Sequence, residues 1–428
     1  MTGPTPRTIA EHVTATLARV RPLATVETSL TQLDVLGLAL AHDVVAAAPV
    51  PAFDNSAMDG YAVRRADLPD DGTEVTLPVL ADVRPGHPSP AVGIESPAAD
   101  RSAAGDSIPT AWRGVVRIMT GAPLPAGFDA VVPVERTSTG RFVAGRPTTE
   151  RTVTLGRQLR EHVRRAGTDV AGGDLLAAAG DTVTPGLVAV AAAAGLTALP
   201  VHRRPRVAVL STGSELTRLG STAPGTVPDS NSLMLAALAR QAGADVVRVG
   251  AVPDAADALT AALDRVADVD LVVTSGGVSA GAGDVVREVL AGGAPTDVDV
   301  SAVAMRPGRP QALATWRGVP WIAVPGNPVS AFVSFTLFAA PALRRLAGRP
   351  DNAPLRTARA AAAWTCPPRA EQVLPVTTGP DGVIPAAHDG HHLAALPRAD
   401  ALAVVPPGTG QVAVGDEVTV LPLAGVQP

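Results

Sequence analysis

The sequence predicts a multidomain α/β and β protein, and three observations carry that reading. Between residues 205 and 348, apolar β-type runs (PRVAVLST, DVVRVGAV, DLVVTSGG, PWIAVPG) alternate with helical stretches starting near Ser230, Ala255, Asp284 and Pro328. That alternation means βαβ units, with a parallel sheet covered by helices on both faces. Residues from about 52 to 150 carry short β-type runs (TEVTLPVLADV, GVVRIMT, DAVVPVE) broken by Pro, Gly and Asp, the pattern of a small all-β module. Residues 353–426 return to short β segments with frequent turns, a second β module. A chain of 428 residues fits this division, since roughly two to four units is the expectation at that length.

The elements follow in order. Thr8-Ile9-Ala10-Glu11 is a capping-box pattern, and Ile9, Val13, Leu17 and Val20 continue it at helical spacing until Pro22 ends the helix. From Leu30 to Val50 the apolar pattern suggests a short helix running into an extended segment closed by Pro49 and Pro51. Residues 84–110 are rich in Pro, Ser and Ala and read as an irregular loop. A helix opened by Pro185-Gly186 and ended by Gly195 then leads into the α/β unit. No internal repeat is present.

Composition removes several function classes. Apolar residues make up 46% of the chain, enough to bury several cores. The net charge of −5 and only 3% aromatic residues argue against a nucleic-acid binder, which needs a basic face and stacking surfaces. All 35 basic residues are arginine, so a Schiff-base or P-loop lysine is excluded. The single cysteine, Cys366, excludes an internal disulfide and an all-cysteine metal site. Without an apolar run of about 18 residues or a signal-like start, the expectation is no membrane and a cytoplasmic location.

The chemistry is concentrated in loops leaving the α/β strands, where ligands bind in open α/β sheets. Gly276-Gly277-Val278-Ser279-Ala280-Gly281-Ala282-Gly283-Asp284 follows a strand and opens a helix, so backbone N–H groups can approach an anion. Its bland alternative is a plain strand–helix connection with Asp284 as N-cap. Pro325-Gly326-Asn327-Pro328 leaves the next strand, as an anion loop or a rigid helix start. Glu215 after Ser211-Thr212-Gly213, Asp229 before Asn231, and Asp284 are acids on the same ligand face. Carboxylates beside a phosphate suggest Mg2+. Arg306-Pro307-Gly308-Arg309-Pro310 presents two guanidinium forks suited to a tetrahedral oxyanion, or merely a solvated basic turn. In the β module, Phe53 to Ala62 crowds polar groups around Tyr61, the only tyrosine. His388, His391 and His392 lack metal-ligand spacing and read as surface residues.

In this order the motifs resemble the molybdopterin molybdenumtransferase family (MoeA, and the gephyrin E domain). The segments that carry the resemblance are PAFDNSAMDGYAV (51–63), IMTGAPLPAGFDAVVPVE (118–135), RRAGTDV (164–170), VAVLSTGSEL (207–216), PDSN (228–231), TSGGVSAGAGD (274–284), RPGRP (306–310) and VPGNPVSA (324–331). The resemblance implies a central three-layer molybdopterin-binding α/β domain (1–23 with 201–350) and a linking domain (24–50 with 151–200). It also implies a β-rich inserted domain (51–150) and a C-terminal β-barrel-like domain (351–428). The implied reaction inserts molybdate into adenylylated molybdopterin with release of AMP. By analogy Asp59, Thr120, Asp169, Glu215 and Asp284 are the catalytic positions, with Asp284 and Glu215 as Mg2+ ligands. Ser211, Thr212, Gly213, Asp229, Asn231, Ser275, Gly276, Gly277, Ser279, Gly281, Arg306, Arg309, Pro325, Gly326, Asn327, Pro328 and Ser330 would bind pterin, phosphate and molybdate. A homodimer is implied, the β-rich module reaching the partner's site, and contact with the molybdopterin adenylyltransferase is a further expectation. The alternatives are a molybdopterin-binding chaperone or scaffold without efficient metal transfer, and adenylyl transfer, which the long FDNSAMDGYA module fits poorly. The chain departs from the family where Arg306 and Arg309 replace lysines of a KPGKP-type loop. Arg369 to Leu374 and Asp389 to His392 also lack the second arginine and the serine of the family's molybdate segments, so weak molybdate use is expected.

Overall fold

A computed structural model describes residues 6–87, 113–142, 150–221, 223–266, 268–279, 284–351, 354–387 and 392–423. Its centre is a six-stranded sheet ordered Asp245–Val252, Arg206–Thr212, Leu271–Ser275, Val319–Val324, Pro310–Trp316, Thr296–Ala302. The first four strands are parallel, as the βαβ pattern requires. The last two extend the sheet as antiparallel ribbons. Alternation along the strands divides the core. Val207, Val209 and Val273 face helices α1 (Ile9–Leu17), α3 (Asn231–Gln241), α6 (Pro328–Ser334) and α7 (Ala340–Leu346). Ala208, Leu210 and Val272 face α4 (Ala256–Arg265) and α5 (Val285–Ala291). Each helix start falls at or next to its expected residue.

The capping box at Thr8 forms, with Thr8 Oγ1 accepting from Glu11 N–H and Glu11 reaching back to Thr8 N–H. α1 stops at Leu17, short of Pro22. Arg19 and Val20 N–H tighten to i−3 carbonyls, and Arg21 and Arg345 donate to the freed carbonyls of Ala18, Val20 and Leu17. α6 and α7 are joined by a π-helical turn, Phe335–Ala339. The run Pro328–Leu346 is long and apolar enough to cross a membrane, but 78% of it is buried inside the protein, as a core helix.

Around this core lie smaller sheets. The strands Ala130–Pro133, Gly60–Val63, Val115–Ile118, Val75–Val83 and Thr152–Leu155 form a five-stranded sheet over Tyr61, Val115 and Leu155. Thr25–Ser29 pairs with Ala198–His202, and Val44–Val45 with Leu175–Ala177, beside α2 (Pro185–Ala193). The expected helix after Leu30 is one 3-10 turn, Leu30–Gln32, because Leu33 takes a left-handed φ of 31°. The C-terminal sheet runs from Glu371–Gly379 through Ala401–Val405 and Glu417–Pro422 to Arg356–Arg359.

Candidate functional site

The parallel strands Arg206–Thr212, Leu271–Ser275 and Val319–Val324 end on one edge, and a single side chain ties their loops together. Asn231, the first residue of α3, donates through Nδ2 to Ser275 Oγ (2.8 Å) and to Gly326 O (2.7 Å). Ser275 Oγ donates onward to Pro325 O at 3.1 Å. The loops then meet backbone to backbone. Gly276 has φ +99°, and a Cβ there would stand 2.5 Å from Thr212 O. A Cβ on Gly326 would lie 3.3 Å from Gly276 Cα. Only glycine tolerates that approach.

Three polar atoms at this edge have no hydrogen-bond partner among the described residues: Ser211 Oγ, Thr212 Oγ1 and Asn231 Oδ1, all buried. An unmet buried polar atom costs about 1–3 kcal/mol, so the three together concentrate unused hydrogen-bonding capacity at this edge. Gly277 stands beside them, 3.1 Å separating its would-be Cβ from Thr212 Oγ1. Ser279 is exposed, its carbonyl accepting from Arg287 Nη1. Ala280, Gly281, Ala282 and Gly283 lie outside the described residues.

The acids divide. Glu215 is exposed and folds its carboxylate over Gly213, whose would-be Cβ lies 2.7 Å from both carboxylate oxygens. Asp284 sits at the N-cap of α5 without a side-chain capping bond, so the plain cap reading does not account for it. Asp229 is different: it is 3% exposed, accepts from Ser232 N–H and Oγ, and pairs with Arg248. Its carboxylate holds the start of α3. Asn327 Oδ1 likewise accepts from Val329 and Ser330 N–H, and Pro328 opens α6 at its first position. Of Pro325-Gly326-Asn327-Pro328, the carbonyls of Pro325 and Gly326 join the strand-end network, while Asn327, Pro328 and Ser330 build the helix start.

Arg306 and Arg309 are both exposed on a loop that Gln311 holds from below. Gln311 Nε2 donates to Gly308 O and to Ser334 Oγ, each at 2.7 Å. Met305–Arg306 pairs in parallel with Glu371–Gln372, so the loop lies at the junction with the C-terminal sheet. Glu371, unremarked in the sequence, is half-buried there, and burial raises its carboxyl pKa. Leu374 lies inside the C-terminal core at 4% exposure, where a guanidinium would be buried without water. His392 is exposed, as expected; His388, Asp389, Gly390 and His391 lie outside the described residues.

A second cluster belongs to the β-rich module. Asp59 Oδ1 accepts from Thr120 N–H (2.7 Å) and Thr120 Oγ1 (2.8 Å), and both residues are exposed. Exposed Asp169 bonds through its N–H to Val50 O. The pair Asp54–Arg165 anchors the same module: Asp54 accepts from Ala166 N–H and from Arg165 Nη1, which together lower its pKa. Arg165 was hidden in the sequence as one arginine among many. Among the described residues, Asp59, Thr120 and Asp169 make no hydrogen bond or ion pair to the strand-end loops of their own chain.

Comparison with known proteins places these features in a family. Residues 7–195 match the MoeA N-terminal region (domain I and II), residues 208–345 a probable molybdopterin binding domain, and residues 357–423 the MoeA C-terminal region (domain IV). Molybdopterin molybdenumtransferase 2 of Mycobacterium tuberculosis is 39% identical over 434 aligned residues, covering 97% of this chain and 99% of its own. Molybdopterin molybdenumtransferase 1 of the same organism is 35% identical, covering 91% of this chain and 92% of its own. The crystal structure of a molybdopterin biosynthesis MoeA protein from Pyrococcus horikoshii superposes with a TM-score of 0.81 at 25% identity, covering 99% of this chain and 100% of that one. With all three regions matched in order and identity sustained along the whole length, this chain belongs to the molybdopterin molybdenumtransferase family.

Proposed function

We propose that this protein inserts molybdate into adenylylated molybdopterin, releasing AMP and forming molybdenum cofactor. The observation that carries this is the set of unmet buried atoms, Ser211 Oγ, Thr212 Oγ1 and Asn231 Oδ1, at a glycine-lined strand end. A neutral polar pocket with closely approached backbone suits a pterin edge and its phosphate. Gly213, Ser275, Gly276, Gly277 and Gly326 shape that pocket. Asp284 and Glu215 are hard oxygen donors of the kind Mg2+ takes, and the donor chemistry fits two protein carboxylates completed by phosphate and water. When bound, Mg2+ supplies neutralisation of phosphate charge. In the reaction water attacks phosphorus and the P–O link to AMP breaks, AMP leaving with its phosphate; the two dithiolene thiols bond molybdenum, and their protons leave with one molybdate oxo as water. Asp284 holds or moves the proton of that water. Arg306 and Arg309 hold the molybdate dianion by charge-assisted bonds.

We further propose a homodimer with composite sites, in which Asp59, Thr120 and Asp169 of one protomer complete the partner's pocket. Within one chain Thr120 bonds Asp59 and Asp169 bonds Val50 O, and among the described residues none of the three bonds the strand-end loops, which supports that reading. The domain limits expected from the sequence, the cytoplasmic location and contact with the adenylyltransferase complete the proposal. A binding-only scaffold is the second reading, favoured by Leu374 occupying a buried core position that offers no charge to an oxyanion. AMP release from adenylylated molybdopterin with and without molybdate separates the two. Molybdate-dependent AMP release supports the transferase; pterin binding with no AMP release at any molybdate concentration establishes the scaffold.

A further inference from the structure

A cavity of about 520 Å³ opens at the other end of the central sheet, between the α2-bearing segment and the α/β unit. Leu40, Ala41, Ala179 and Gly180 wall one side, and Arg345, Gly348, Arg349 and Asp351 the other. Its distance from the strand-end loops follows from the chain. Pro328 starts the 19-residue helical run at the carboxyl end of the sheet, and about 26 Å of helix later Arg345 emerges at the amino end.

The lining is unbalanced in charge. Arg21, Arg345 and Arg349 face one aspartate, Asp351, and Arg345 already grips it. Among the described residues Arg349 has no carboxylate partner: one of its nitrogens donates to Gly37 O, and its buried Nε has none. Burial and the neighbouring Arg204 lower its pKa, the mark of a cation short of an anion. Among the described residues Arg21 uses only Nη1, on the carbonyls of Ala18 and Val20. His202 closes the floor over Gly348, where a Cβ would lie 1.9 Å from the ring. The acids nearest the opposite wall are occupied, Asp43 by Ala179 N–H and Asp181 by Ala178 N–H.

We propose that this cavity is a second ligand site, taking a phosphate-bearing small molecule whose anionic end sits between Arg21 and Arg349. The volume exceeds that of a bare phosphate, so the ligand is a phosphorylated compound with a body attached. Its binding bridges the α2-bearing segment to the α/β unit, the two walls of the cavity. The site is independent of the strand-end pocket and of the reaction assigned to it.

Hydrogen exchange of the full-length protein with inorganic pyrophosphate as probe tests this locally. Pyrophosphate, against sodium chloride at matched ionic strength, slows exchange of the Ala41 and Gly180 amides, which bond to Pro200 O and Leu40 O. In Arg21→Gln, whose exposed side chain leaves the fold intact, and in Arg349→Gln, the pyrophosphate concentration needed rises roughly 10- to 100-fold, the loss expected for one charge-assisted bond. Protection at these amides that equals the chloride control, or that persists unchanged in Arg21→Gln, overturns the proposal. Protection confined to the strand-end loops does the same.

Discussion

His12 offers a test of how the central unit responds to acid. It is 0% exposed in α1, neither ring nitrogen has a partner among the described residues, and the ring packs edge-on against Phe338 at 4.6 Å. Burial, helped by the charge of Arg7, depresses its pKa from 6.5 to about 4. Between those values the unfolded chain binds a proton that the folded chain refuses, so stability falls as pH drops through that window. From pH 7 to pH 5 the loss is about 2 kcal/mol, or roughly 20- to 30-fold in the opening equilibrium. His12→Leu keeps an apolar contact with Phe338 and removes the titration. A multidomain chain is not two-state, so the assay is hydrogen exchange of the α1 amides, corrected for intrinsic rate. Wild type loses protection by that factor between pH 7 and pH 5, and His12→Leu keeps it. Equal loss in both proteins would refute the assignment and point to acid-sensitive ion pairs such as Arg7–Asp299 instead.

The strand-end pocket and the dimer give further tests. Gly276→Ala places a methyl 2.5 Å from Thr212 O at φ +99°, and AMP release falls by at least about 100-fold while the melting curve of the β-rich module stays in place. Asp284→Asn loses at least about 100-fold in turnover with little change in melting, since no capping bond is removed. Mixed with Asp59→Ala chains, it regains about a quarter of wild-type activity through heterodimers with one intact site; no recovery after proven subunit exchange removes the composite-site reading. Arg309→Ala raises the molybdate KM roughly 10- to 100-fold and leaves pterin affinity nearly unchanged, whereas an equal loss of both makes the loop structural.

The sequence by itself determined the parallel strands, the helix starts and the loops that meet at the strand ends. Burial on both sheet faces writes continuous apolar runs such as VAVL, and caps such as Thr8 and Asn327 act within three residues of themselves. Local interactions of that kind are legible along the chain. Thr296–Ala302 and Pro310–Trp316 were not, because the alternating TDVDVSA is an edge strand whose partner is chosen by the hairpin fold. Tertiary structure alone decided which polar groups are tied up inside the fold. Asp229 and Asp284 look alike in sequence, yet Arg248 and Ser232 turn Asp229 inward, while Asp284 stands at the N-cap of α5 and makes no side-chain capping bond there. Residue type states what a side chain can bond; only the packing of distant segments states what is left for it to bond. The same holds for Arg349, one arginine among 35, set apart because the fold half-buries it beside Arg204 with no carboxylate partner among the described residues.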